Sequence, residues 1–187
     1  SSYQHERLRL GALFDTEASA NTNAQATGDD TTGSDDEDSV VPPALIRHNS
    51  SITLPVTVFN NTGHTAALSA WIDFNADGQL DDTLSTEPGG ECVALDIPVT
   101  TSASAQTVNV TFTVPETASV GPDRALRVRL RHEAGSSGAG QGGFGETEDH
   151  TVSIAKQLAG PLELFVLKDS NGIRTGDTPV PRAELTV

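Results

Sequence analysis

The chain has 187 residues, and 11 Lys+Arg against 26 Asp+Glu leave a formal net charge of −15. That balance excludes a nucleic-acid face, which needs basic residues against phosphate, and docking on anionic lipid. A 35% hydrophobic share suffices for one core, no run of about 18 apolar residues exists to enter a membrane, and a single Cys leaves no disulfide framework within the chain.

Helical periodicity is almost absent, and strand-like alternation recurs. Leu8–Phe14 opens as a strand. Ala18–Asp38 follows with no apolar period. Ser51–Phe59 sets Ile52, Leu54, Val56 and Val58 on one face, and Pro55 inside it predicts an edge or a bulge. Leu68–Phe74 alternates Leu68, Ala70, Ile72 and Phe74, with Trp71 in a strand that reads as buried. Cys92–Val99, Thr107–Val114, Arg124–Arg131 and Thr151–Ala155 continue the pattern. Arg127, Arg129 and Arg131 share one face of their strand and predict a salt-bridged, solvent-facing side. Gly135–Gly145 carries six Gly and reads as a mobile loop. Asn60–Gly63, Pro88-Gly89-Gly90 and Gly121-Pro122-Asp123 are turn signals. About seven short strands so punctuated predict an all-β, antiparallel, jelly-roll-like β-sandwich with long acidic and Gly-rich loops. Each sheet is expected to have one wet and one dry face.

Residues 1–155 form this domain, and 156–161 form a linker. Leu162–Lys168 reads as a fresh strand, Asp169–Asp177 as a loop, and Ala183–Val187 as the start of another strand. Residues 162–187 are too few for a core and are expected to open a following repeat.

The acids are clustered. Nine precede Val40: Glu6, Asp15, Glu17, Asp29, Asp30, Asp35, Asp36, Glu37 and Asp38. Four lie between Asp73 and Asp82, and three between Glu146 and Asp149. Carboxylates this close resist joint ionisation unless a cation neutralises them. In Asp73-Phe-Asn75-Ala-Asp77-Gly78-Gln79-Leu-Asp81-Asp82, oxygen donors alternate and a Gly permits a sharp turn. This is the arrangement that wraps calcium, which takes six to eight oxygens at roughly 2.3–2.6 Å. Asp73, Asn75 and Asp77 supply side-chain oxygens and Gln79 its carbonyl. The twelfth position is Leu84 rather than Glu, so Asp81 or Asp82 closes the shell. Glu146, Glu148 and Asp149 stand at a strand entrance. They are expected to meet Asp15, Glu17 and part of Asp29–Asp38 on further ions. Asp169, Asn171 and Asp177 echo the motif weakly. No His or thiolate accompanies the acids, so calcium, as several ions, is expected rather than magnesium or a transition metal.

Catalytic signals are absent. His5, His48, His64, His132 and His150 show no metal spacing, no nucleophile elbow occurs, and Cys92 reads as a buried thiol. Aromatics are only 4%, too few for a sugar-stacking platform.

Several motifs together resemble the GEVED-domain family of bacterial secreted and surface proteins. They are Gly145-Glu146-Thr147-Glu148-Asp149 with His150-Thr151-Val152-Ser153-Ile154, Trp71-Ile-Asp-Phe-Asn-Ala-Asp-Gly78, Leu10-Gly11-Ala-Leu-Phe-Asp15-Thr-Glu17, and Gly28-Asp-Asp30 with Asp35-Asp-Glu-Asp38. Phe112-Thr-Val-Pro115 and Arg127-Val-Arg-Leu130 add to the likeness, which covers about residues 8–155. Thr147 replaces the Val of the name motif, and His150 stands where Tyr is common. Residues 162–187 resemble the start of a B-type repeat of serine-aspartate-repeat surface proteins. The pairing implies a tandem extracellular array.

The expected role is a calcium-stabilised, non-catalytic module of a bacterial surface or secreted protein, serving adhesion or spacing beside neighbouring domains of the same polypeptide. Two alternatives stand. One is a receptor module reading a peptide or glycan, with Gly135–Gly145 as its lip. The other is a filament or stalk subunit whose strand Leu162–Lys168 pairs with a neighbouring chain.

Overall fold

The computed structural model describes residues 7–12, 39–138 and 144–158. The chain divides into two units, Ser1–Gln157 and Leu158–Val187, and every element below lies in the first. Among the described residues there are eight strands and no helix: β1 (Leu8–Leu10), β2 (Leu45–Arg47), β3 (Ser51–Asn60), β4 (Ala66–Ile72), β5 (Cys92–Val99), β6 (Gln106–Thr113), β7 (Gly121–Arg131) and β8 (Gly145–Ala155). They form two sheets, β1-β3-β6 and β2-β8-β7-β4-β5. All pairs are antiparallel except β2 with β8, which is parallel. Leu54, Val56, Val58, Val110 and Phe112 of the small sheet share one core with Leu68, Ala70, Ile72, Leu126, Val128 and Leu130 of the large one. The period-two alternation puts these residues on facing sides, and each buried Val, Leu or Ile contributes about 1.5–3 kcal/mol.

Pro55 sits where its missing N–H is harmless. Val114 N donates to Ser50 O at 3.0 Å, so the even-numbered residues bond across the β3–β6 ladder. Thr53, Pro55 and Thr57 therefore turn their backbones toward the β1 side. β1 covers only Val58–Asn60 there. Thr57 finds other partners, donating to Ser39 O at 2.7 Å and accepting from Gly11 N at 2.9 Å. Proline belongs at such an open stretch.

Three expectations change. The large sheet is covered on both faces: all seven residues of β4 are buried, and Trp71 packs outward with Leu80, Cys92 and Ala125 in a second small cluster. The arginine face of β7 is bridged but not solvent-facing, because Arg127 and Arg129 are 2% and 1% exposed. Finally, β8 begins at Gly145 rather than Thr151, so Glu146, Glu148 and Asp149 lie within a strand and not at its entrance. Polar residues along a strand hide the period when both faces hold polar partners.

Candidate functional site

Strand β8 pairs Glu146 with Leu130, Thr147 with Arg129, Glu148 with Val128 and Asp149 with Arg127. Alternation then sends the acids to opposite faces. Glu146 and Glu148 point inward beside Val128 and Leu130, while Asp149 points outward. The register thus keeps Glu146 and Glu148 on one face and Asp149 on the other, so all three could not share a single ion.

Each acid has a partner. Glu146 accepts a hydrogen bond from the backbone N of Leu10 in β1. Glu148 is 3% exposed and accepts from both the hydroxyl and the N–H of Ser39, and its Oε2 lies 3.2 Å from His150 Nε2. Its Oε1 is buried and has no partner among the described residues. Leu10 and Ser39 stand on either side of the acidic stretch, so both approaches to that stretch are pinned by one strand. Gly145 is required at its head: a Cβ there would meet Leu130 O at 2.0 Å.

On the outer face, Arg127 grips Asp149 through two bonds, Nε to Oδ1 at 2.7 Å and Nη2 to Oδ2 at 2.6 Å. Forked guanidinium–carboxylate pairs are the strong kind. Arg129 donates from Nε to Thr147 Oγ1 at 2.9 Å. Its pKa falls to about 10, first through burial and then through the neighbouring Arg127 charge. The three arginines also hold the Gly-rich segment: Arg127 donates to Gly138 O at 2.7 Å, Arg129 to Ser137 O, and Arg131 to Gly135 O at 3.0 Å. Residues 135–138 of the expected mobile loop are thus tied down by their own carbonyls.

The turn after β4 is built differently. Asp73 accepts from Ala76 N at 2.6 Å and Gly78 N at 3.1 Å. Asn75 Oδ1 accepts from Asp77 N at 2.7 Å, and Asp77 Oδ1 from Gln79 N at 2.8 Å. Asp81 accepts from Thr83 N at 2.7 Å, a bond that lowers its pKa. Ala76 and Gly78 take positive φ, 65° and 75°, which lets the backbone curl around its own side-chain oxygens. Glu91, 0% exposed at the mouth of β5, closes the turn by accepting from Asn75 N at 3.1 Å and Asp81 N at 3.0 Å. Burial pushes its pKa up, and the charges of Asp73 and Asp77 add to that. Asp82 leaves the group: its Oδ1 accepts from Trp71 Nε1 at 3.1 Å and Gly138 N at 2.7 Å. Among the described residues, no Lys, Arg or His side chain pairs with Asp73, Asp77, Asp81 or Glu91. Nor do three His, Cys, Asp or Glu side chains there stand grouped as an ion would need. The donor set suits calcium in type and spacing, and its oxygens are turned onto the backbone.

Residues 67–153 match the model of the GEVED domain. The matched stretch runs from β4 into β8 and contains both the acidic turn and the motif strand. No curated protein matches the chain. Within the matched stretch, alternate residues of β8 staple two faces: Glu146 and Glu148 hold β1 and Ser39, and Thr147 and Asp149 hold the arginines.

Asp15, Glu17, Asp29, Asp30, Asp35, Asp36, Glu37, Asp38, Asp169, Asn171 and Asp177 lie outside the described residues, as does Leu162–Lys168. Sequence reasoning missed Glu91, Ser39 and Gly138. For Glu91 a signal existed, an acid between a Gly-Gly turn and an apolar strand. Ser39 and Gly138 act through long-range register, which no local pattern announces. Cys92 is buried, and burial raises its thiol to about 11.

Proposed function

We propose that this chain is a calcium-stabilised, non-catalytic module of an extracellular or bacterial cell-surface protein, working as a spacer or adhesive unit beside neighbouring domains. One observation carries the reading: Asp73, Asp77, Asp81 and the wholly buried Glu91 share one turn, and among the described residues no cationic side chain pairs with them. Like charges so placed repel, and oxygen donors at this spacing favour a hard divalent cation. Rotating the Asp side chains off their own turn would free the oxygens a calcium ion needs. A folded-state ligand adds RT ln(1+[L]/Kd), so calcium outside the cell would rigidify the module. Isothermal titration with calcium tests this. Binding that is lost in Asp77→Ala and Glu91→Gln supports the reading, and a flat titration of the parent chain removes it.

A further inference from the structure

We infer that β6 is an association edge at which the chain pairs, antiparallel, with β6 of a second copy of itself. Among the described residues the two sheets have four edge strands, and three are guarded. β1 has three residues and carries Arg9, and β2 has three and ends in Arg47. β5 is broken by register shifts against β4, a positive φ of 51° at Asp96, and Pro98. Short length, charge, bulges and proline are the devices that keep edges from joining. β6 has none of them. It runs eight residues, Gln-Thr-Val-Asn-Val-Thr-Phe-Thr, with an unbroken register against β3.

The ladder parity fixes which groups are offered. Even-numbered residues bond to β3, so Thr107, Asn109, Thr111 and Thr113 turn their N–H and C=O outward. All four are exposed, and among the described residues none of these backbone groups joins another strand. A second copy is the occupant that the charge favours. In a chain of net charge −15, β6 carries no charge, and neither do its partners Ser51, Thr53, Pro55 and Thr57 on β3, so identical molecules can approach here without like charges meeting. The strand also complements itself. In the antiparallel register that pairs all four outward residues, Thr107 faces Thr113 and Asn109 faces Thr111. Val108 then faces Phe112 and Val110 faces its own twofold mate. Such β-branched and aromatic pairs are favourable across strands, and Thr53 and Thr111 already form one Thr pair at 3.0 Å within the sheet. A junction about 27 Å long and a single strand wide offers less contact than the roughly 800 Å² per partner of stable complexes. The pairing is therefore weak and suited to crowded copies.

Sedimentation equilibrium of the intact chain, from about 10 μM to about 1 mM, tests the inference. The expected result is an average mass that climbs from one chain toward two. Thr111→Pro removes an N–H that β3 does not use and should weaken association at least tenfold. Asn109→Lys/Thr111→Lys, which sets like charges opposite each other at the junction, should do the same if the proline variant fails to fold. A parent chain that stays monomeric throughout overturns the inference, whether the edge serves another extended chain or only water. A rise that a folded variant retains in full overturns it equally.

Discussion

Strand β8 and the turn after β4 both concentrate carboxylates, and the fold treats them in opposite ways. Along β8 the two-residue period sends Glu146 and Glu148 inward and Asp149 outward, so the sheet itself separates Asp149 from the two glutamates. Each then meets a protein donor: Leu10, Ser39 or Arg127. In the turn, the curl at Ala76 and Gly78 lets Asp73 accept from the backbone of both, Asp77 from Gln79 and Asp81 from Thr83, while Glu91 accepts from Asn75 and Asp81. Those acids accept from backbone N–H groups and from the Asn75 and Thr83 side chains, and among the described residues none of them pairs with a cationic side chain. A strand can neutralise its carboxylates from inside the fold, whereas the proposed reading assigns that work, in a tight turn of the same composition, to a cation from solution.

Breaking the strand side should cost most. Asp149→Ala leaves Arg127 buried without its counter-charge, and stability should drop by about 3–5 kcal/mol. Denaturant unfolding would show the same loss with calcium and with chelator. A loss that calcium repairs would mean the two regions are not separate. Gly145→Ala comes next. Its Cβ would sit 2.0 Å from Leu130 O and force β8 off β7, and a penalty of about 1–3 kcal/mol is expected by analogy with overpacking. Proteolysis of residues near Leu10 and Ser39 should quicken together in that variant.

On the proposed reading the turn side answers to pH and metal instead. Glu91 binds its proton more tightly folded than unfolded, because burial raises its pKa above the ordinary value of 4.5. Metal-free stability should therefore fall as pH rises from 4.5 through that raised value, then level off. Glu91→Gln should flatten this slope in unfolding midpoints recorded in chelator between about pH 4 and about pH 7. An unchanged slope would assign it to another group. Asp77→Ala should have the smallest effect without metal, within about 0.5 kcal/mol as for other exposed sites, yet should remove most of any stabilisation by calcium.

Much of this contrast is legible in the order of residues alone. Alternation at Ser51–Phe59 and Thr107–Val114 locates β3 and β6 to within a residue or so, since one apolar face against one polar face is a clean signal, whereas Cys92–Val99 gives the bounds of β5 but not its faces, because Leu95 is exposed beside the break at Asp96. The Asx-Gly spacing at Asp73–Gly78 likewise marks the turn. Strand β8 escapes at its front half because Glu146 to Asp149 are polar on both sides, and only the register with Arg127 and Arg129 shows why. The three-residue β2 carries too short a pattern to read. The buried arginines are legible as a bridged face but not as a covered one, because the cover comes from Gly135–Gly138, over which the sequence shows only flexibility.

The central claim is that solution calcium completes what the protein leaves unpaired in the turn. Thermal unfolding of the parent chain, with chelator and then with calcium at about one hundred times Kd, tests it most directly. Binding to the folded state alone would add about 2.7 kcal/mol, which raises the midpoint by about 5–11 °C at roughly 2–4 °C per kcal/mol. A midpoint that stays fixed from chelator to saturating calcium would contradict the account and leave the turn's carboxylates as solvated surface.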